Sequence, residues 1–125
     1  KNIKSSGLRF YENEELTSKM PSVEAQILGN LGNAYMDLND YKNAINNYEN
    51  ALASLKGNEN KQLRIHLLMY LGAAHCNSED RRDNEKVMDY WGQALKLMQS
   101  TSEYYKETPD YKIVHGWIER LKNRL

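Results

Sequence analysis

The chain has 125 residues and a mass of 14.6 kDa, which fits one folded domain and is short for two. Hydrophobic residues make up 40% and charged residues 27%, too apolar a mixture for a disordered chain. Seventeen basic residues cancel seventeen acidic ones, and the halves differ only slightly (−2 over residues 1–60, +2 over 61–125), so no nucleic-acid partner is expected.

A single cysteine, Cys76, excludes an internal disulfide framework and points to a reducing, cytoplasmic compartment. No apolar run approaches 18 residues, so no membrane span is expected. The chain opens at Lys1 rather than Met and is expected to be a piece of a longer protein. Prolines are limited to Pro21 and Pro109, and β-branched residues are few. The composition reads as all-α.

In chain order, Leu8, Tyr11, Glu15 and Leu16 fall at helical spacing beside Phe10, giving a first helix over residues 7–20 that Pro21 is expected to end. Ser22 reads as the N-cap of the next helix, whose stripe is Ala25, Leu28, Leu31, Tyr35 and Leu38. Asn39-Asp40 reads as a turn, with Asp40 capping a helix that carries Tyr41, Ala44, Ile45, Tyr48, Ala51, Leu52 and Leu55. Gly57 suits a left-handed stop. Leu63, Leu67, Leu68, Leu71, Ala74 and His75 form the following stripe. A charged break over residues 77–83 separates it from Val87, Tyr90, Trp91, Ala94, Leu95 and Met98. Thr108-Pro109 opens the last helix, with Thr as N-cap and Pro at the first helical position, and Val114, Trp117, Ile118, Leu121 and Leu125 form its stripe.

These helices repeat. Leu28, Leu31-Gly32 and Tyr35 align with Leu68, Leu71-Gly72 and His75 at an offset of 40, and Ala44, Tyr48, Ala51-Leu52 and Leu55 align with Val87, Trp91, Ala94-Leu95 and Met98 at 43. The difference is a three-residue insertion in the second internal turn, around residues 80–83. Gly32 and Gly72 cost roughly 1 kcal/mol each in a helix and are expected to pay for themselves by letting a neighbouring helix approach closely.

Leu28, Leu31-Gly32, Tyr35, Tyr41, Ala44, Tyr48 and Ala51 resemble the tetratricopeptide repeat, and Leu68, Leu71-Gly72, Trp91 and Ala94 resemble a second copy. The second departs at His75 and Val87, where the pattern has Tyr and Ala, and Lys56 replaces the usual proline. The 40-residue step and the triplets Leu28-Gly29-Asn30 and Leu31-Gly32-Asn33 resemble the longer-helix variety of spindle-orientation adaptors, kinesin light chains and bacterial Rap-type regulators. The resemblance implies one α-solenoid domain over residues 1–125. It would comprise a degenerate helix (7–20), two helical hairpins (22–58 and 60–100) and a closing helix (109–124) with Glu119, Arg120, Lys122, Asn123 and Arg124 on its polar outer surface.

In that family the first helix of each hairpin lines a concave groove. The implied groove residues are Gln26, Gly29, Asn30, Asn33, Met36 and Asp37 from the first repeat, and His66, Met69, Tyr70, Ala73, Cys76 and Asn77 from the second. Asn30 and Asn33 are expected to pair with a partner's backbone, since an amide both donates and accepts. Met36, Met69 and Tyr70 would contact its side chains. A clamp for an acidic C-terminus is not expected, because Gly29, His66, Met69 and Tyr70 stand where Lys, Asn or Arg would be wanted.

His66, His75 and His115 have no His-x₃-His spacing and no Cys cluster beside them, so no metal or cofactor is expected. His75 reads as a packing replacement for Tyr, Trp91 and Trp117 as core anchors, and Arg81-Arg82-Asp83 as a solvated turn. No phosphate-cradling Gly loop or Ser-His-acid order is present. The expected function is non-catalytic: a protein-interaction module that binds a partner's peptide or helix as part of a larger adaptor or regulator. The alternatives are a domain sensing a signalling peptide or controlling a phosphotransfer partner, and a homodimer formed through exposed end faces.

Overall fold

The computed structural model describes residues 20–57, 60–80 and 82–125. The helix expected over 7–20, apart from Met20, lies outside the described residues, as does Arg81. Among the described residues there is no strand. Helices α1 (Met20–Asp37), α2 (Tyr41–Ser54), α3 (Lys61–Asn77), α4 (Asn84–Thr101) and α5 (Pro109–Arg124) follow one another, with a 3-10 turn at Tyr105–Glu107 before the last. Helix α1 pairs with α2, α3 pairs with α4, α2 packs on α3, and α5 closes on α4.

Local chemistry sets most of these boundaries. Helix α1 is described from Met20, so Pro21 and Ser22 both lie within it and Ser22 is not its N-cap. At the other end Asn39 turns left-handed (φ 58°). The Asp40 N–H then reaches the Tyr35 carbonyl at 2.9 Å and the Asn39 N–H reaches that of Met36 at 2.9 Å, a Schellman stop. Asp40 caps α2 by accepting from the Asn43 N–H at 3.2 Å. Asn60, Asp83 and Thr108 do the same for Leu63, Lys86 and Tyr111. Gly57 is left-handed (φ +57°) but lies two residues past the Leu55 cap of α2. The turn within the first hairpin is residues 38–40 and within the second 78–83, which locates the three-residue insertion.

The core has two parts that share α3. Leu63, Leu67 and Leu71 pack with Ala44, Ile45, Tyr48 and Ala51 of α2. Ile65, Leu68 and Met69 pack with Val87, Trp91 and Ala94 of α4 and with Val114, Ile118 and Leu121 of α5. Because α3 is covered from two sides, Met69 is only 2% exposed, and its expected role in a partner-facing groove is corrected: it is a core residue. Helix α1 corrects a second expectation. It buries Ala25, Gly29 and Gly32, whereas Leu31 and Leu38 are 45% and 74% exposed. The small residues of α1 are on its covered side with half-buried Leu28, while Leu31 is exposed and Leu38 lies in the turn just past the helix.

Candidate functional site

The close approaches that shape the site occur at the two repeated glycines. A Cβ on Gly32 would lie 2.5 Å from Cε1 of Tyr48, and a Cβ on Gly72 would lie 2.7 Å from Cδ1 of Trp91. Each glycine therefore admits the aromatic ring of its partner helix. Trp91 also donates its indole N–H to the Met69 carbonyl at 3.0 Å inside the core. Its ring tilts against Trp117 at 5.5 Å, so Trp91 is a buried anchor and Trp117 its half-buried neighbour.

Helices α1 and α3 present amide and aromatic side chains on one face. Gln26, Asn30 and Asn33 recur at i, i+4 and i+7 on α1, and His66, Tyr70, Ala73 and Asn77 at i, i+4, i+7 and i+11 on α3. A cleft of about 170 Å³ brings together Gln26, Asn30, Asn33, His66 and Tyr70. Leu63, Leu67 and Tyr48 also line it, and Gly29 leaves room for Leu67, whose Cδ2 would stand 3.1 Å from an added Cβ. Gln26 donates its amide to Asn30 Oδ1 at 3.4 Å. Tyr48 donates its O–H to Asn33 Oδ1 at 2.5 Å and stacks on Tyr70 with ring centroids 6.2 Å apart. Burial, with the nearby Tyr70 and Asp37 charges adding to it, raises the Tyr48 phenol well above its ordinary value, so the donated proton stays in place.

Further along α3, a second cleft of about 200 Å³ is lined by Ala73, Cys76, Asn77 and Trp91 and by Trp117, Arg120 and Arg124 of α5. Arg120 and Arg124 thus face this cleft as well as solvent. Asp110, in the first turn of α5, accepts from Gln62 at 3.0 Å and contacts His66 Nε2 at 2.9 Å, tying α5 to α3 beside the first cleft. Asp110, Arg120 and Arg124 were not among the expected groove residues. For Arg120 and Arg124 the signal is the 3-4 spacing of Trp117, Arg120 and Arg124, which places these three on one face of α5. Of the expected residues, Met36 is half-buried and Asp37 exposed near the end of α1, and neither lines these two clefts.

Residues 25–54 match the tetratricopeptide repeat. Such repeats are non-catalytic units that mediate protein–protein interaction. Neither the curated proteins nor the solved structures give a match. The second hairpin lies outside the matched residues yet packs Gly72 on Trp91 as the matched tetratricopeptide repeat packs Gly32 on Tyr48. Where that repeat pattern has Tyr, His75 is buried and stacks on Tyr90 with ring centroids 5.7 Å apart. Among the described residues no group of three or more His, Cys, Asp or Glu is placed to hold a metal ion, and no helix is long and apolar enough to cross a membrane.

Proposed function

We propose that the face formed by α1, α3 and α5 binds a peptide or helix of a partner protein, as part of a larger cytoplasmic adaptor or regulator. The observation that carries this reading is the convergence of Gln26, Asn30, Asn33, His66 and Tyr70 on one cleft, with Asn33 held by Tyr48. Fixed amides can pair with a partner's backbone without a large ordering cost, because they are already oriented. Tyr70, 38% exposed, offers aromatic surface between the amides and His66. The second cleft adds Trp117 beside Arg120 and Arg124, so a segment lying along α3 from Tyr70 to Asn77 would meet cations at that end. The 40-residue step and the Leu-Gly-Asn triplets support placing the chain with the longer-helix variety of the repeat. The test is to select peptides from a displayed library against the chain and compare their affinity for Asn30→Ala/Asn33→Ala and Tyr70→Ala. A loss of roughly tenfold or more is expected, and equal affinity for wild type and both variants would defeat the reading.

Self-association is a second reading, favoured by one feature. Val23, Ile27 and Leu31 recur at i, i+4 and i+8 on α1 and are 49%, 56% and 45% exposed. Light scattering across concentration tests it. A dimer that Ile27→Glu abolishes is expected on this reading, and a strict monomer removes it.

A further inference from the structure

The opposite face of α3 carries a different chemistry. Lys61, Arg64 and Leu68 lie on the side of α3 about 180° from His66 and Tyr70, since two residues advance the helix by roughly 200°. There they meet Leu52 of α2 and Lys96, Leu97 and Ser100 of α4 around a groove of about 510 Å³. That volume is ordinary for a binding cleft, ~300–1,000 Å³, and is about three times that of the amide-lined cleft.

The floor is apolar and one end is cationic. Leu68 is buried, and Leu52 and Leu97 are half-buried with faces open to the groove. Lys61 Nζ donates to Ser100 Oγ at 3.4 Å and Arg64 to the Gly57 carbonyl at 3.0 Å, both neutral acceptors. Among the described residues no carboxylate forms an ion pair with Lys61, Arg64 or Lys96. The N-terminus of α3 starts at Lys61, and its positive end adds to the same field. Asp89 stands one turn before Gln93, which donates to it at 2.9 Å, and is not among the residues that line the groove. From Gln93 to Ser100 the groove runs about 10 Å, the length of two helical turns.

We infer that this groove docks an acidic amphipathic helix of a partner protein, its leucine-sized side chains on Leu52, Leu68 and Leu97 and its carboxylates on Lys61, Arg64 and Lys96. Charge complementarity selects the occupant: three cations that, among the described residues, have no carboxylate partner stand around leucines and disfavour both a basic helix and a wholly apolar one. The site is separate from the proposed concave one, and each can fail without the other.

The experiment is fluorescence anisotropy of a labelled amphipathic peptide with Leu at helical spacing and Glu elsewhere, titrated with the 125-residue chain. Saturable binding is expected, weakened roughly tenfold in Lys61→Glu/Lys96→Glu and in Leu97→Ser, and unchanged in Asn30→Ala/Asn33→Ala. Circular dichroism melts of each variant confirm that the fold is kept. Equal binding of a peptide with Ser in place of Leu would overturn the inference, since charge alone would then suffice. So would loss of binding in the Asn30/Asn33 variant, which would place the peptide on the other face. Lys61-dependent binding to phosphatidylserine vesicles with none to the peptide would overturn it in favour of a lipid surface.

Discussion

Tyr48 donates its phenolic O–H to Oδ1 of Asn33 at 2.5 Å, so the ring that fills the space over Gly32 also orients an amide of the candidate site. Tyr48→Phe keeps the ring and removes the donor. It is expected to cost about 0.5–1 kcal/mol in urea unfolding, at the low end for a hydrogen bond because Asn33 is exposed and can turn to water. The same variant is expected to weaken partner binding by more than its loss of stability explains, because Asn33 is no longer fixed.

The same tyrosine makes stability depend on pH at the alkaline end. Burial, then the Tyr70 and Asp37 charges, raise its folded value above the ordinary 10.0. Tyr90 shifts in the same direction through burial, Glu49 and Asp89. A raised folded value means the native state holds its proton longer than the unfolded state. The stabilisation is therefore complete below about pH 10 and is lost as pH rises toward the folded value. Urea midpoints measured between neutral pH and pH ~11 are expected to fall above pH ~10, and to fall less steeply in Tyr48→Phe.

The glycines are not equivalent. Gly32 and Gly72 have aromatic rings where a Cβ would stand, whereas Gly92 and Gly116 have nothing within 4 Å. Gly72→Ala is expected to destabilise by about 2 kcal/mol, because the overlap with Trp91 exceeds the gain in helix propensity. Gly92→Ala and Gly116→Ala are expected to stabilise by about 0.5–1 kcal/mol, since only the propensity gain operates. Chemical denaturation of the four variants, with Gly32→Ala tracking Gly72→Ala, checks the contrast.

This contrast also shows what the sequence made legible. The repeated Leu-Gly steps and the aromatic residues one helix later were visible at offsets of 40 and 43, and they are the pairs that touch. The caps at Asp40 and Thr108 were legible because their chemistry is local. Met69 reads as exposed because a one-stripe reading suits a helix with one covered face, and α3 has two. Leu31 reads as buried for the converse reason: α1 has its small residues on the covered side, and hydropathy alone ranks Leu above Gly, while Leu38 falls just past the helix end. The tie between His66 and Asp110 spans 44 residues, and no periodicity within a helix can reveal it.

That tie carries its own consequence. Asp110 accepts from both Gln62 and His66 and sits in the first turn of α5, where a carboxylate also favours the helix dipole. Asp110→Ala is expected to cost about 0.5–1 kcal/mol, modest because the contacts are partly exposed. Hydrogen exchange is expected to quicken in the first turns of α5 and to stay unchanged in α2, which a uniform loss of stability would not produce.

The most direct test of the concave-face proposal is a map of amide chemical shifts on the ¹⁵N-labelled chain as a library-selected peptide is added. Changes concentrated at Gln26, Asn30, Asn33, His66 and Tyr70 are the expected result. Changes confined to Val23, Ile27 and Leu31, or to Lys61, Arg64 and Lys96, would contradict it.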